Sequence, residues 1–339
     1  DTKEGMADGV GNGTYSSRAM VIDDLDLSTL KPGRHHFYFK VLTSNTGTPI
    51  LIPVIVVKGA KIGKRLLLTA GVHGDELNGI RVIQQLIDDI SYHELSGVII
   101  AIPGLNQPGL HANSRYFIMS SGGGTQSDLN RLFPGTGNGG NAASLYVHQI
   151  WKRIIKGRVD LSIDLHTQTQ GTAYPLFVFA DFKNKDAKRM ATLLGPDIIK
   201  NDAGEKGTLE TSLMRLNIPS VTFEVGAPKQ FQYNLIQRAV SGIQNILYFY
   251  KMIKGQPVNP TETAIIGNDY KNIYAKKGGV AVLHKGLLDP VKKGELIATQ
   301  YDLFGNKIMD YFSPLNGHVL SVATDPMREP GAMLIRILY

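Results

Sequence analysis

The chain has 339 residues, of which 42% are hydrophobic, and this indicates a globular protein of one large or two unequal domains. It contains no cysteine, which excludes disulfides and thiolate metal ligands. No apolar run approaches the roughly 20 residues of a membrane-spanning helix, so no membrane partner is expected. The formal net charge is +7, but lysine pairs beside glycines, such as Lys276-Lys277 and Lys292-Lys293, indicate solvated turns and not a nucleic-acid surface.

The first 63 residues are predicted to lead into the domain that follows and to contribute strands to it. Residues 1–33 are rich in Gly, Asp and Ser and predict an irregular lead-in, whereas "HHFYFKVL" and "ILIPVIVV" are typical of strands. The chain begins with Asp1 and not Met, which indicates trimming or cleavage. The compartment stays open: cytoplasmic by default, or periplasmic if a signal peptide was removed.

From Lys64 to residue 253, short apolar runs alternate with stretches of helical periodicity. The runs "RLLLTA", "GVIIAIP", "VDLSIDLH", "PLFVFA" and "PSVTFEV" indicate buried strands. Helices are predicted over "ELNGIRVIQQLIDDI", "AASLYVHQIWKRIIK", "KDAKRMATLLG" and "QFQYNLIQRAVSGIQNILYFYKMI". Because strands that alternate with helices are joined by crossovers, residues 64–253 are predicted to form an α/β domain with a mixed, mostly parallel sheet and flanking helices.

The C-terminal part is predicted to be a separate, small all-β domain. The segment 254–266 is rich in Pro, Gly and polar residues and is the predicted linker. Residues 267–339 contain short strand-like runs, and Asn316-Gly317 between two of them predicts a tight hairpin. This tail resembles the half-barrel of biotin- and lipoyl-carrier domains, but no lysine lies at the tip of that hairpin, so a swinging-arm role is not predicted.

Polar side chains recur where the predicted core strands end, which is where open α/β sheets form their active sites. His73 and Glu76 follow the first core strand, and His166 and Glu224 lie at the ends of two later ones. A glycine-rich loop after "GVIIAIP" carries Arg115 and then the run Asp128-Leu129-Asn130-Arg131. The convergence of these residues on strand ends predicts one functional site.

Each feature taken alone also has a purely structural explanation. His73 and Glu76 fit a polar turn with Glu76 in the first turn of a helix, where the helix dipole favours an acid. His166 fits a hydrogen-bonded histidine at a strand end, and Arg131 could pair with the nearby aspartate. Glu224 is harder to explain, because a carboxylate in an apolar strand is costly to bury unless it is paired or linked to a metal.

Together the residues predict a catalytic metal site. Two histidines and a glutamate are a standard ligand set for catalytic zinc, with a fourth position left for water. A further carboxylate near that water would act as the general base and then pass the proton to the leaving amine. One arginine would stabilise the oxyanion, and a second arginine beside an asparagine, as in Asn130-Arg131, would hold a substrate carboxylate.

Four motifs in this order, "GVHGDELNG", "SDLNRLFPG", "SIDLHTQ" and "TFEVG", resemble the succinylglutamate desuccinylase and aspartoacylase family, a branch of the zinc carboxypeptidase fold. The resemblance covers about residues 64–253, and the all-β tail fits the two-domain plan of the family. It implies one zinc ion per chain and a late substrate-contacting tyrosine, for which Tyr301 and Tyr311 are the candidates. The roles it implies are zinc ligation by His73, Glu76 and His166, catalysis by Glu224 and Arg115, and substrate contact by Asn130, Arg131 and Arg115.

The leading hypothesis is a zinc-dependent amide hydrolase that removes an acyl group from an N-acyl amino acid or a related small N-acyl compound with a free carboxylate. A zinc carboxypeptidase or cell-wall peptide amidase is the nearest rival, because these enzymes share the fold and the zinc chemistry. A non-catalytic binding protein on a hydrolase scaffold is a third possibility, although every expected catalytic residue is present. The oligomeric state and the identity of the acyl group stay open.

Overall fold

The computed structural model describes residues 19–258 and 263–339, and its centre is a twisted sheet of ten strands. The strands of the described N-terminal part are β1 (Met20–Ile22), β2 (Gly33–Thr43), β3 (Pro49–Lys58), β4 (Lys61–Ala70), β5 (Ser96–Ile102), β6 (Phe117–Ile118), β7 (Gln126–Ser127), β8 (Leu161–His166), β9 (Thr172–Ala173), β10 (Leu176–Ala180), β11 (Ile198–Asn201), β12 (Ser220–Val225) and β13 (Ile265–Gly267). The order across the large sheet is β1-β2-β3-β5-β4-β8-β12-β10-β11-β13. Six of its nine neighbouring pairs are parallel, so the predicted mixed, mostly parallel sheet is confirmed.

Helices cover both faces of this sheet. Within the described residues they are α1 (Asn78–Asp89), α2 (Gln107–His111), α3 (Ala142–Ile150), α4 (Lys185–Leu193), α5 (Leu209–Met214) and α6 (Tyr233–Phe249). Helices α1, α4 and α6 share one core with Leu66 and Leu68 of β4, whereas α3 and α5 share the opposite core with Leu67. Successive strand residues point to opposite faces, and both faces are covered, which explains the unbroken apolar runs. None of the helices in residues 19–258 and 263–339 has the length and apolar character needed to cross a bilayer.

The three central strands β4, β8 and β12 are parallel neighbours, so their carboxyl ends meet at one edge of the sheet. In the register of the sheet, Ala70 lies opposite Leu165, and His166 lies opposite Glu224. All six residues of β8 and of β12 are buried. The sheet therefore brings the ends of three predicted core strands into one buried region.

The structure shortens the predicted helices and adds short elements. The helix predicted over residues 142–156 ends at Ile150 and continues as a π-helical turn to Ile155. Strand β1 lies in the predicted irregular lead-in, α2 lies in the loop predicted after "GVIIAIP", and α5 lies in a stretch for which no element was predicted. Segments of three to six residues are too short to show a periodicity in sequence, which is why these elements were missed. Residues 1–18 of the lead-in lie outside the described residues.

The C-terminal part is all β, as predicted. Its strands are β14 (Tyr270–Tyr274), β15 (Gly279–Leu283), β16 (Pro290–Val291), β17 (Leu296–Tyr301), β18 (Lys307–Phe312), β19 (Gly317–Ala323), β20 (Met327–Arg328) and β21 (Met333–Leu338). They form one sheet in the order β14-β21-β19-β16 and another in the order β18-β17-β15-β20. The two sheets share an apolar core that includes Ile297, Val319 and Ile335.

The tight hairpin predicted at Asn316-Gly317 is wrong. The strand before it, β18, pairs with β17 in one sheet, whereas the strand after it, β19, pairs with β16 and β21 in the other. Asn316 accepts a hydrogen bond from the backbone N–H of Lys293 at 2.8 Å. The segment crosses from one sheet to the other because both sheets bury their apolar faces in the same core.

The C-terminal domain is joined to the α/β domain through pairing and packing as well as through the chain. Strand β9 pairs with β19, and the Nε2 of Gln168 donates a hydrogen bond to the Oγ of Ser321 at 2.9 Å. Tyr174 and Phe177 share an apolar cluster with Leu320. The predicted linker, 254–266, ends in β13 at the edge of the large sheet, and its residues 259–262 lie outside the described residues. The C-terminal domain therefore packs against the segment that follows His166.

Candidate active site

The predicted metal ligands come together at the carboxyl ends of β4 and β8. His166 is the last residue of β8, and His73 and Glu76 lie in the turn between β4 and α1. The three residues are buried, with 1–4% of their surfaces exposed. One ligand atom from each residue lies within 4.8 Å of the others. Among the described residues, these three form a compact group of potential metal ligands.

The distances inside this cluster show which atoms face one another. The Nδ1 of His73 lies 2.9 Å from Glu76 Oε1, and the Nδ1 of His166 lies 3.1 Å from Glu76 Oε2. The two Nδ1 atoms are 3.3 Å apart. Glu76 also accepts a hydrogen bond from the backbone N–H of Thr167 at 3.0 Å, which fixes its carboxylate against the end of β8.

Each histidine is held by a carboxylate on its other ring nitrogen. His166 Nε2 lies 2.6 Å from Asp164 Oδ2, and His73 Nε2 lies 2.9 Å from Asp128 Oδ1. A proton on Nε2 of each histidine satisfies these carboxylates, so that both Nδ1 atoms, 3.3 Å apart, can direct a lone pair at a cation. Without a cation, the contacts of the Nδ1 atoms with Glu76 are hydrogen bonds only if Nδ1 carries a proton. The donors and the carboxylates behind them therefore fit a divalent metal ion.

The electrostatics of the cluster keep its acids ionised. Burial alone would raise the pKa of Glu76, but the adjacent His73 and the hydrogen bond to His166 hold that pKa well below its usual range. Burial likewise opposes ionisation of Asp128, whereas His73 and Arg115 lower its pKa. Carboxylates that remain charged in a buried site attract a cation strongly, because little water screens them.

Glu224 lies beside the cluster in a different electrostatic state. Its side chain is buried, and its Oε2 has no hydrogen-bond partner among the described residues. Burial raises the pKa of Glu224 to about 8, an effect that His166 and Arg115 oppose and that Glu76 reinforces. A buried carboxyl group whose pKa lies near neutrality is suited to accept and release a proton.

The turn that carries His73 depends on the glycine that follows it. A Cβ on Gly74 would lie 2.1 Å from the backbone carbon of Gly109 in α2, so only glycine lets the turn pack against that helix. At the start of α1, the Nδ2 of Asn78 donates to the carbonyl of Val225 at 2.7 Å, which ties α1 to the end of β12. These contacts hold the His73 turn beside the strand that carries Glu224.

The predicted substrate-contacting residues border the cluster. Arg115 donates from Nη1 to Glu76 Oε1 at 3.0 Å and from Nη2 to Asp128 Oδ2 at 3.1 Å. It therefore connects the predicted ligand Glu76 to the aspartate that contacts His73. Asn130 is buried, and its Oδ1 accepts from the backbone N–H of Leu209 at 3.1 Å.

Arg131 does not form the pair with Asp128 that the sequence left open. It makes an ion pair with Glu205 at 2.9 Å, with 43% and 63% of the two side chains exposed. Asp128 is engaged by His73 and Arg115. No sequence pattern indicated Glu205 as the partner, because 74 positions separate it from Arg131 along the chain.

A cavity of about 300 Å³ contains the predicted ligands, Glu224, Arg115, Asn130 and Arg131 in its lining. A larger hollow of about 840 Å³, which includes Arg238 and Asn245 of α6 in its lining, contains none of the predicted site residues. We assign the chemistry to the smaller cavity, because it holds the histidines and the buried carboxylates.

The C-terminal domain contributes to the wall of this cavity, but not through the tyrosines expected from the sequence. Tyr311 is buried in the core of the β domain, where its hydroxyl donates to Gln300, and neither Tyr301 nor Tyr311 lines the cavity. Tyr270 of β14 and Arg336 of β21 line it instead. A tyrosine inside a β-rich tail gives no indication in sequence of which face of its sheet it occupies.

Comparison with known proteins gives the family. The model of the succinylglutamate desuccinylase/aspartoacylase catalytic domain matches residues 62–250, more than half of the chain. The protein belongs to the succinylglutamate desuccinylase/aspartoacylase family. It is therefore a hydrolase of the class that cleaves linear amide bonds, as the motifs predicted.

Two kinds of relative illustrate the similarity of this family member. An N-alpha-acetyl-L-2,4-diaminobutyric acid deacetylase from Halomonas elongata is 26% identical over 284 residues, which cover 80% of this chain and 81% of the relative. The product-bound structure of the ectoine utilization protein EutE (DoeB) from Ruegeria pomeroyi matches with a TM-score of 0.79 at 21% identity, over 91% of this chain and 96% of that one. A succinylglutamate desuccinylase/aspartoacylase from Rhodobacter sphaeroides matches with a TM-score of 0.78 at 22% identity, over 93% and 98% of the two chains. These structures share the fold of this chain.

Several residues of the site were missed in sequence. Asp164 gave a usable signal, because an acid two positions before His166 on a strand lies on the same face as that histidine. Tyr174, Glu210 and Arg336 gave none, since their approach to the cavity depends on how α5 and the C-terminal domain pack.

Proposed function

We propose that the protein is a zinc-dependent deacylase that hydrolyses the amide bond of a small N-acyl amino acid carrying a free carboxylate. The observation that carries this proposal is the cluster of His73, Glu76 and His166 beside the buried Glu224. A divalent metal held by the three residues would supply a Lewis acid and activate water at neutral pH. Zinc is the proposed ion, because two imidazole nitrogens and one carboxylate are a standard catalytic zinc set.

Glu224 is the proposed proton carrier of the reaction. It takes a proton from water as the water oxygen bonds to the amide carbonyl carbon, and it delivers that proton to the amide nitrogen as the C–N bond breaks. The products are a carboxylic acid and a free amine. The unpaired Oε2 of the buried Glu224 supports this role, because an oxygen without a hydrogen-bond partner among the described residues is available to accept the proton.

The polar residues at the edge of the cluster are proposed to hold the substrate. Arg115 uses Nη1 and Nη2 on Glu76 and Asp128, and its remaining N–H groups are proposed to stabilise the oxyanion. The Nδ2 of Asn130 has no hydrogen bond within the described part of the chain and is proposed to donate to the substrate together with Arg131. Arg131 would then share its charge between substrate and Glu205.

The size of the cavity favours a small substrate over a peptide. About 300 Å³ lies at the lower end of the range for small-molecule sites. Tyr270 and Arg336 of the C-terminal domain contribute to its wall, which limits room for an extended chain. The deacetylase relative supports acetyl as the first acyl group to test.

A deacylation screen with supplied zinc tests the proposal. Acetyl, succinyl and longer acyl amino acids, including N-alpha-acetyl-L-2,4-diaminobutyrate, are compared with short peptides, and a chelator-treated sample serves as the control. Release of free amine from N-acyl amino acids, lost on chelation and restored by zinc, is the expected result. Faster cleavage of peptides would instead identify a carboxypeptidase or peptide amidase, and metal binding without turnover of any substrate would identify a binding protein.

A further inference from the structure

Three arginines of the described residues line the active-site cavity, and they differ in their partners. Arg115 is paired with Glu76 and Asp128, and Arg131 is paired with Glu205. Arg336, which belongs to β21 of the C-terminal domain, has no acidic partner within residues 19–258 and 263–339. One cavity-lining guanidinium therefore keeps a positive charge that no neighbouring carboxylate neutralises.

Neutral groups hold Arg336 in a fixed position. Its Nε donates to Asn272 Oδ1 at 2.7 Å, and its Nη1 donates to the hydroxyl of Tyr174. Its Cζ lies 4.2 Å from the centre of the Tyr270 ring, within cation–π distance. Nη2 makes no hydrogen bond to any described residue. A half-buried guanidinium held in this way is preorganised for an anion and has a donor left to bind it.

Tyr174 connects this arginine to the reacting end of the cavity. It directly follows β9, whose Ala173 pairs with Val322 of β19, so the contact between the two domains fixes both Tyr174 and Arg336. Burial raises the pKa of Tyr174, and the nearby Arg336 and Glu224 shift it in opposite directions. Tyr174 lines the same cavity as Glu224 and Arg336, and its neutral phenol accepts the hydrogen bond from Arg336.

We propose that Arg336 binds a carboxylate of the substrate, so that the C-terminal domain supplies a specificity-determining residue of the active site. Its Nη2 donates a charge-assisted hydrogen bond to that carboxylate, which takes the place of the missing acidic partner. The proposal rests on the proposed deacylase function. The carboxylate belongs either to the amino acid or to a dicarboxylic acyl group such as succinyl, and the experiment distinguishes these two sources.

Matched substrates with and without the carboxylate test this role. The first pair is an N-acetyl amino acid and its carboxamide, and the second is an N-succinyl amino acid amide and its N-butyryl counterpart. In Arg336→Gln we expect KM for one of the two acids to rise roughly tenfold to a hundredfold, as for the loss of a hydrogen bond to a charged group. KM for the uncharged analogue of that pair should change by less than about twofold, and so should kcat.

The readout is the ratio of kcat/KM for acid over uncharged analogue, because loss of folded protein lowers both values equally and leaves the ratio unchanged. Arg336→Lys keeps the positive charge but lacks the planar guanidinium group with its paired donors, so it should recover part of the preference for the acid. Lys307→Gln is the matched control, since it removes one exposed cation of the same domain outside the cavity. If Arg336→Gln leaves the preference for the acid unchanged in both pairs, the proposal is overturned. This holds even if Arg131→Gln abolishes that preference.

Failure of the proposed function would be recognised separately. If wild-type protein loaded with zinc hydrolyses none of these substrates, the deacylase assignment fails first. The Arg336 assignment is then tested by thermal-shift binding of the same acids and amides. Selective stabilisation of the wild-type protein by an acid, lost in Arg336→Gln, supports it, and equal stabilisation by acid and amide overturns it.

Discussion

The two ends of the active-site cavity are built in opposite ways. At the ligand end, His73 and His166 each have a carboxylate behind them, and Arg115 joins Glu76 to Asp128. At the C-terminal wall, Arg336 is held by an amide, a phenol and an aromatic ring, without an acid. The first end is rich in charges that balance one another, and the second keeps one charge unbalanced.

This difference agrees with the roles that we propose for the two ends, metal binding at the first and substrate binding at the second. A metal site must hold its ligands in one geometry, and hydrogen bonds from carboxylates fix the tautomer and the ring orientation of each histidine. A substrate site must lose and regain its partner in every cycle, so a permanent acidic neighbour would compete with the substrate.

Removal of a ligand should have the largest effect. In His73→Ala and His166→Ala, bound metal should fall well below one ion per chain, because a chelate loses its geometry with one donor. Activity should fall by about 10³-fold or more, the contribution expected from a catalytic metal. Elemental analysis and amine release measure the two quantities, with the exposed His36→Ala as control. Full metal content in both variants would show that the ligand assignment is wrong.

Glu224→Gln should separate proton transfer from metal binding. The amide keeps the shape of the side chain but does not accept the proton, so the rate should fall by at least about 10²-fold. Metal content should stay at the wild-type level, because Glu224 is not a proposed ligand. Steady-state kinetics and elemental analysis on the same sample test this, with the exposed Glu94→Gln as control. Near wild-type activity would remove Glu224 from the mechanism.

Asp164→Asn tests whether the acid behind His166 matters. The substitution keeps the contact to Thr69 possible but removes the charge that orients the imidazole of His166. Metal affinity should weaken by about 10–100-fold, as is typical for partners of metal-bound histidines. Competition with a chelator of known affinity measures this, and Asp88→Asn, an exposed aspartate of α1, is the control. Unchanged affinity would mean that His166 is oriented by packing alone.

Glu210, a second buried carboxyl group of the cavity, is expected to affect the pH dependence of stability. Burial raises the pKa of Glu210 to about 8, although its hydrogen bond from Thr222 lowers it. Between about pH 4.5 and 8, the folded protein keeps a proton that the unfolded chain releases, so the free energy of unfolding decreases as pH rises through this window. The loss is on the order of a few kcal/mol.

Glu210→Gln mimics the protonated form and should therefore flatten this dependence. Denaturant unfolding at several pH values compares the variant with the wild type, and Glu224 and the other titrating groups are common to both proteins. The difference in unfolding free energy between them should change across pH 5 to 8. A constant difference over this range would show that Glu210 is ionised throughout.

Local patterns in the sequence were sufficient for the α/β class and for the group of site candidates. Apolar runs such as "RLLLTA" and "PSVTFEV" indicated strands covered on both faces, and the polar residues just after them marked the strand ends. His73, Glu76, His166 and Glu224 could be found in this way because each lies at the end of a central strand or in the turn that follows one.

The tertiary structure decided which residues lie opposite the ligands. Arg336 is 170 positions away from His166, and it reaches the cavity only because β19 pairs with β9. Tyr270 lines the cavity whereas Tyr311 lies in the core of the β domain, a choice fixed by sheet packing. The partners of Arg131 and Asp128 were likewise set by the approach of other segments.

The physical reason for this division is the range of the interactions involved. Periodicity, glycine turns and strand-end polarity are local properties, so they predicted the central strands, the longer helices and the residues at the carboxyl edge of the sheet. Pairing between β9 and β19 and the ion pair of Arg131 with Glu205 join distant segments, and no local pattern encodes them. Only the folded chain could therefore decide that the C-terminal domain forms a wall of the active site and places Arg336 in it.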